Sequence, residues 1–337
     1  MAVLILRYRD DDGASRWAKL VSAPPTSPDD VIDIIDLPVA RNATTDTIIA
    51  MYGRNLDRID NGDVVNITAA QLQSPVTSDA TIVCQGLNYA THAAEAGHHE
   101  RKQNLLFAKA STSLCGPYDE IVRPKGVELL DYEVEIGVVL RSQLTAGTVV
   151  DNTNVGEYVA GVVLCNDVSA RDVMFGASFM QWYQGKSFRT FCPTGPLLYL
   201  LAPDEVATAL MNLEISLVYR DVERQRAISS QLIYKPAETL TQIAAMMDLK
   251  SGDLILTGTP GGVIAQGTPK LIEALKTLLL DDPSRRAEMV SEMKTLADFL
   301  QPGETLTSTM RDLHSNLDLG GQFSTIVDDG SNGGSVA

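Results

Sequence analysis

A protein of mixed strands and helices, built on central strands buried on both faces, is what the sequence predicts. Residues 131–140 end in an unbroken apolar run, and residues 158–165 form a second. Runs of that length without alternation read as strands packed on both sides. Residues 213–219 and 223–228 flank Arg220-Asp221-Val222 and read as a hairpin. Helical spacing follows, with Leu240, Ile243, Ala244 and Met247 on one face of a core-covering helix.

The bulk properties narrow the partners. At 337 residues the chain can hold one large domain and a small one. Its formal charge of −16 argues against nucleic acid or an anionic membrane as partner. An anionic substrate would need a local positive field, which a bound cation can supply. The apolar start, Val3-Leu4-Ile5-Leu6, stops at Arg7 and is too short for a secretory signal core. No apolar run approaches the ~20 residues that span a bilayer. Cys84, Cys115, Cys165 and Cys192 lack metal or disulfide spacing, so free thiols in a cytoplasmic protein are expected.

Residues 1–77 read as a small N-terminal domain, structural or oligomerising, since they contain no histidine. Residues 3–9 and 18–21 suit two strands around Asp10-Asp11-Asp12-Gly13, and 45–56 has helical spacing through Ile48, Ile49, Tyr52 and Leu56. A short strand at 81–84 precedes His92 and Glu95, which share a face of one helical turn. A histidine oriented by a carboxylate is the usual build of a general base, although the spacing alone marks mostly surface neighbours. His98 and His99 follow Gly97 and read as solvated loop residues.

If 131–140 is a strand, Asp131, Glu133 and Glu135 point the same way. Two readings are open for them: acids of a strand end in solvent, or buried acids neutralised by a hard divalent cation. Asp167, ending the second apolar run, is well placed to complete a cation site. Arg171 offers a planar fork for carboxylates, with Asp172 placed to hold it. The glycine-rich 257–262 loop lets backbone amides approach an anion, yet lacks the spacing and Lys-Ser/Thr of a phosphate loop. Residues 269–300 read as an added helical hairpin, with Asp282-Pro283 as cap and first position of its second helix. A pocket wall, a subunit contact and a surface decoration are all compatible with it. Residues 328–337, rich in Gly and Ser, are expected to be disordered.

The segments "GLNYATHAAE", "DYEVEIGVVL", "CNDVSARD", "GKSFRTFCPTGP" and "LTGTPGGV" resemble, in unbroken order over roughly residues 78–263, the fumarylacetoacetate hydrolase family. The resemblance implies an α+β fold, a mixed β-roll catalytic domain over 78–327, in a protein that is usually a homodimer. It implies Glu133, Glu135 and Asp167 as ligands of Mg²⁺ or Mn²⁺, with Ca²⁺ possible. It gives His92 and Glu95 the activation of water and Lys186 the stabilisation of an oxyanion. Tyr89, Arg171 and Thr259 become substrate contacts, Asp131 a supporting or solvated acid, and Lys109 a structural residue. Arg189 and Met174 depart from residues common in the family, near substrate groups or their supports, and put substrate identity in doubt.

The activity so implied is hydrolysis of a C–C bond in a small anionic acylpyruvate-like β-diketo acid, through a metal-bound enolate. Decarboxylation, hydration or isomerisation of a 2-oxo acid at the same site is the alternative, as is a larger biosynthetic substrate in a pocket reshaped by the hairpin. A non-catalytic binding protein is the third reading, which the pairing of His92 with Glu95 disfavours.

Overall fold

The computed structural model describes residues 2–56, 59, 62–95 and 103–330; His98, His99 and residues 331–337 lie outside them. The fold is α+β, as expected. Among the described residues, one twelve-stranded sheet dominates, ten of its strands on one path and the short Leu72–Gln73 and Leu114–Cys115 off it. From one edge its order is Val64–Thr68, Val31–Asp36, Ser15–Leu20, Val3–Arg9 and Cys192–Leu200. It continues through Val159–Asn166, Val134–Leu140, Leu254–Leu256, Ile82–Gly86 and Leu105–Lys109. A second, five-stranded sheet contains the hairpin Leu213–Tyr219 and Val222–Ile228.

Every residue of Val134–Leu140 and of Val159–Asn166 is buried, which accounts for their continuous apolarity. The two pair antiparallel, with Val134 opposite Asn166 and Glu135 opposite Cys165. Segment 131–140 is not one strand, however. Leu130–Asp131 pairs separately with Ser169–Ala170, and the chain steps across Tyr132 and Glu133 before joining the main sheet. Side chains satisfy the backbone at this step: Glu133 N donates to Asn166 Oδ1 (2.9 Å) and Val134 N to Gln225 Oε1 (3.0 Å). Buried donors at a break must find such partners.

Segment 1–77 is built into the same sheet, Val3–Arg9 pairing antiparallel with Cys192–Leu200. Its helix is Thr45–Tyr52, shorter than expected, capped by Thr44 and ended at Gly53. The strand Val64–Thr68, not foreseen, is a mostly exposed edge whose apolar face is only Val65 and Ile67.

The 269–300 segment is two helices, Pro269–Thr277 and Asp282–Leu296. Thr268 caps the first, and Asp281, one residue before the expected cap, accepts from Ser284 N in the second. Arg285 fixes the pair to the body. Fully buried, it donates to the carbonyls of Phe175 (2.8 Å), Ala177 (2.7 Å), Leu278 (2.7 Å) and Leu279 (2.5 Å) and meets Asp282 at 2.7 Å. Arg285→Met would leave these acceptors buried and unpaired, so a loss of about 3 kcal/mol or more in urea unfolding is expected. Lys270→Met, which breaks only exposed pairs with Glu288 and Glu292, should change little. No helix among the described residues is long and apolar enough to cross a membrane.

Candidate active site and metal centre

The two buried strands deliver three acids to one place. Glu135 is the second residue of its strand and Asp167 directly follows the neighbouring one, while Glu133 sits at the step. Asp167 N donates to the Glu133 carbonyl (2.8 Å), tying the segments together. One carboxylate oxygen from each of Glu133, Glu135 and Asp167 lies within 4.8 Å of the others, and all three residues are buried.

Cations surround two of the three. Lys186 Nζ lies 2.8 Å from Glu133 and 2.7 Å from Asp167, and Lys109 Nζ 2.6 Å from the other Asp167 oxygen. Arg171 Nη2 lies 2.6 Å from Glu133 and 2.9 Å from Asp131. Burial alone would push the Glu133 carboxyl up, but Lys186 and Arg171 outweigh it and bring it down to about 2. Burial opposes charge on Lys186 as well, yet Asp167 and Glu133 hold its ammonium above the ordinary lysine range.

Glu135 differs. Its Oε2 accepts from Gly258 N (2.7 Å), whereas its buried Oε1 has no hydrogen-bond partner among the described residues. Burial, and then the charges of Asp167 and Glu133, push its carboxyl well above the usual range. The four carboxylates, Asp131 included, thus outnumber the cations Lys109, Arg171 and Lys186 by one, and the unmatched charge falls on Glu135. A divalent cation among three hard oxygens would give Glu135 the cationic partner it lacks, so these residues fit Mg²⁺, Mn²⁺ or Ca²⁺.

Asp131 is neither solvated nor a fourth member of the set. Fully buried, it accepts from Arg171 Nε (2.9 Å), Ile264 N (2.9 Å) and Ala265 N (3.1 Å), so it fixes both Arg171 and the 263–265 loop. Asp172 does not hold Arg171. Successive residues on a helix point about 100° apart, and Asp172 instead accepts from Glu128 N, Leu129 N and Arg286 of the helical insertion.

His92 and Glu95 share the helix Ala90–Glu95, with His92 Nδ1 3.6 Å from Glu95 Oε2, beyond hydrogen-bond length. Glu95 is anchored by Gly262 N, at 2.9 and 3.1 Å. Gly262, at φ +104°, admits no side chain, because a Cβ would lie 1.8 Å from the Arg224 carbonyl. His92, Glu133, Arg171 and Lys186 line one cavity of about 440 Å³.

Thr259 and Tyr89 are not among its lining residues. The Thr259 hydroxyl donates to the Val134 carbonyl (2.9 Å) and accepts from Gln225 Nε2 (2.8 Å). The buried Tyr89 hydroxyl has no partner among the described residues, and burial plus the Glu135 charge raise its pKa. Met174 is buried beneath Gly185 and supports the helix carrying Lys186, while Arg189 is exposed.

Sequence reasoning left Lys109, Asn88 and Gln225 without a site role. Asn88 donates to the carbonyls of Thr257 and Tyr234, and Gln225 spans Val134, Thr259 and Pro260. A lysine closing the apolar strand Leu105–Lys109 is the one legible signal among them, since such an ammonium needs a buried acid.

The sequence model for the fumarylacetoacetate (FAA) hydrolase C-terminal domain matches residues 81–319, a stretch holding the three acids, His92 and Lys186. The chain belongs to the fumarylacetoacetate hydrolase family. A bovine relative, "Oxaloacetate tautomerase FAHD2A, mitochondrial", is 38% identical over 190 residues, 56% of this chain and 59% of that protein. The match therefore spans about three-fifths of such relatives' length. Among solved structures, fumarylacetoacetate hydrolase from Exiguobacterium antarcticum aligns with TM-score 0.70 at 22% identity, covering 97% of this chain and 100% of that one. A 2-hydroxyhepta-2,4-diene-1,7-dioate isomerase from Mycobacterium marinum aligns at 0.65 and 21%, covering 98% and 100%. At those identities the likeness establishes the family fold.

Proposed function

We propose that this family member is a divalent-metal-dependent enzyme that hydrolyses a C–C bond in an acylpyruvate-like 2,4-dioxo acid. The observation that carries the reading is His92, beside Glu95, facing the same cavity as Lys186 and Glu133, the member of the carboxylate cluster that lines it. A divalent cation held by Glu133, Glu135 and Asp167 would supply Lewis-acid polarisation of the 2-oxo acid. His92 takes a proton from water at Nε2, with the Glu95 charge on the Nδ1 side favouring the protonated ring. The water oxygen adds to the distal carbonyl carbon and the bond between C3 and C4 breaks. Its electron pair stays on C3, where a proton is added back to give pyruvate beside a second carboxylic acid. The Lys186 ammonium lowers the energy of negative charge developing on oxygen. Arg171, fixed by Asp131, keeps Glu133 and the cavity wall in register.

A second reading is tautomerisation of a 2-oxo acid, supported by the 38% identical bovine protein named for oxaloacetate. It needs the same carboxylates and a proton carrier but no attacking water. Purified protein with Mg²⁺ or Mn²⁺, given acylpyruvates and oxaloacetate in separate assays, distinguishes the two by product. Pyruvate plus a second acid is the expected result. Accelerated keto–enol exchange of oxaloacetate, with acylpyruvates left intact, would replace the first reading by the second. A homodimer in the cytoplasm belongs to the same proposal, and light scattering and fractionation test it.

A further inference from the structure

Two unlike ends make up the cavity. One holds His92, Glu133, Arg171 and Lys186; the other is walled by Phe175, Trp182, Leu271, Leu275, Met289 and Met293. Four of those six come from the helical insertion. Leu271, Met289 and Met293 are buried, so the insertion turns an apolar face to the cavity rather than decorating the surface. Trp182 packs edge-on against Phe107 (5.3 Å) and Phe175 (5.6 Å), joining the charged end to the apolar one. Arg285 and the Arg286–Asp172 pair (2.7 Å) hold the wall in place.

A short dicarboxylic acid suits this space badly. Its distal carboxylate would need a second cation, but Arg171 and Lys186 are already paired with buried acids. The one cation lining the insertion side among the described residues, Lys276, is exposed, as is Gln266, so its ammonium is left in water rather than set against the apolar wall. Placing an ionised group against Leu and Met would cost its hydration without a partner. An unbranched alkyl or aryl group would instead exchange water for apolar contact along the whole wall.

The geometry points to a substrate whose 2-oxo acid head carries a long apolar tail, with the insertion as the specificity wall. This rests on the proposed function for its head group only. Trp182, lining the cavity, provides a binding signal independent of turnover. Fluorescence titrations with pyruvate, 2-oxohexanoate and 2-oxodecanoate, with Mg²⁺ present, should show Kd falling about fourfold per added methylene. The 2-oxo diacid of ten carbons should bind more weakly than 2-oxodecanoate. In Leu275→Asp, chosen because Leu275 is only half-buried, the gain per methylene should vanish, with pyruvate in the same protein as reference. Ile272→Ser, on the same helix, serves if that variant does not fold. A flat chain-length series, or a diacid binding more tightly than the monoacid, overturns the inference. Decanoate separates the head group from the tail. If it binds as tightly as 2-oxodecanoate, the head-group reading fails, whereas the slope still decides the tail.

Discussion

Glu135→Gln is expected to weaken binding of Mg²⁺ or Mn²⁺ by at least about 100-fold, the largest loss a single isosteric change should cause in this protein. Glutamine keeps the shape and can still accept the Gly258 N–H, so what is removed is the charge of this cluster that no described lysine or arginine pairs with. Metal content by mass spectrometry after dialysis against Mn²⁺ reads the loss; unchanged stoichiometry would refute the ligand set. The same variant should behave oppositely once metal is stripped. The folded state holds the Glu135 carboxyl above its ordinary range, chiefly through burial. Stability from this group is therefore complete below about pH 4.5 and is lost as pH rises through the elevated folded value, since the unfolded chain ionises first. Under chelator, wild type should lose melting temperature on going from pH 5 to pH 8, by more than Glu135→Gln does. Added Mn²⁺ should reverse the order, raising wild type and leaving the variant unchanged. A crossing of that kind separates a cation site from a merely structural acid.

What was legible in the sequence follows from where the information sits. Val134–Leu140 and Val159–Asn166 are buried along their whole length, so their apolar runs announce them directly. Asp167 and Glu135 come together because register fixes Val134 opposite Asn166, a pairing that sequence alone does not state. Asp131 shows the limit of reasoning from alternation. Period-two geometry puts it with Glu133 and Glu135, but the chain steps between sheets at Tyr132 and Glu133. Asp131 then turns to Arg171 and the 264–265 amides. The partners of that step, Asn166 and Gln225, lie 33 and 91 residues away. Likewise Asp172 stands next to Arg171 in sequence yet serves Arg286, since helical rotation outweighs adjacency. Local pattern conveyed which segments are buried; long-range side-chain partners decided which buried acid does what.

His92→Ala is expected to lower kcat for acylpyruvate hydrolysis by about 10²- to 10⁴-fold, the range for removing a positioned general base. Metal content should stay as in wild type, because His92 is not among the three residues that bring oxygens within 4.8 Å of one another. Glu95 makes the assignment sharper. It accepts from Gly262 N as well as facing His92, so Glu95→Gln keeps an acceptor for the loop while removing the charge beside the imidazole. If Glu95 acts only through His92, the double variant should cost no more than His92→Ala alone, and the deficit of Glu95→Gln should appear in kcat rather than KM. A purely structural role for the pair would instead lower melting temperature and add across the cycle. Should His92→Ala hydrolyse acylpyruvates at the wild-type rate, water is activated elsewhere. Should it also keep oxaloacetate tautomerisation intact, the carboxylate cluster with Lys186 carries proton movement in both reactions without the histidine.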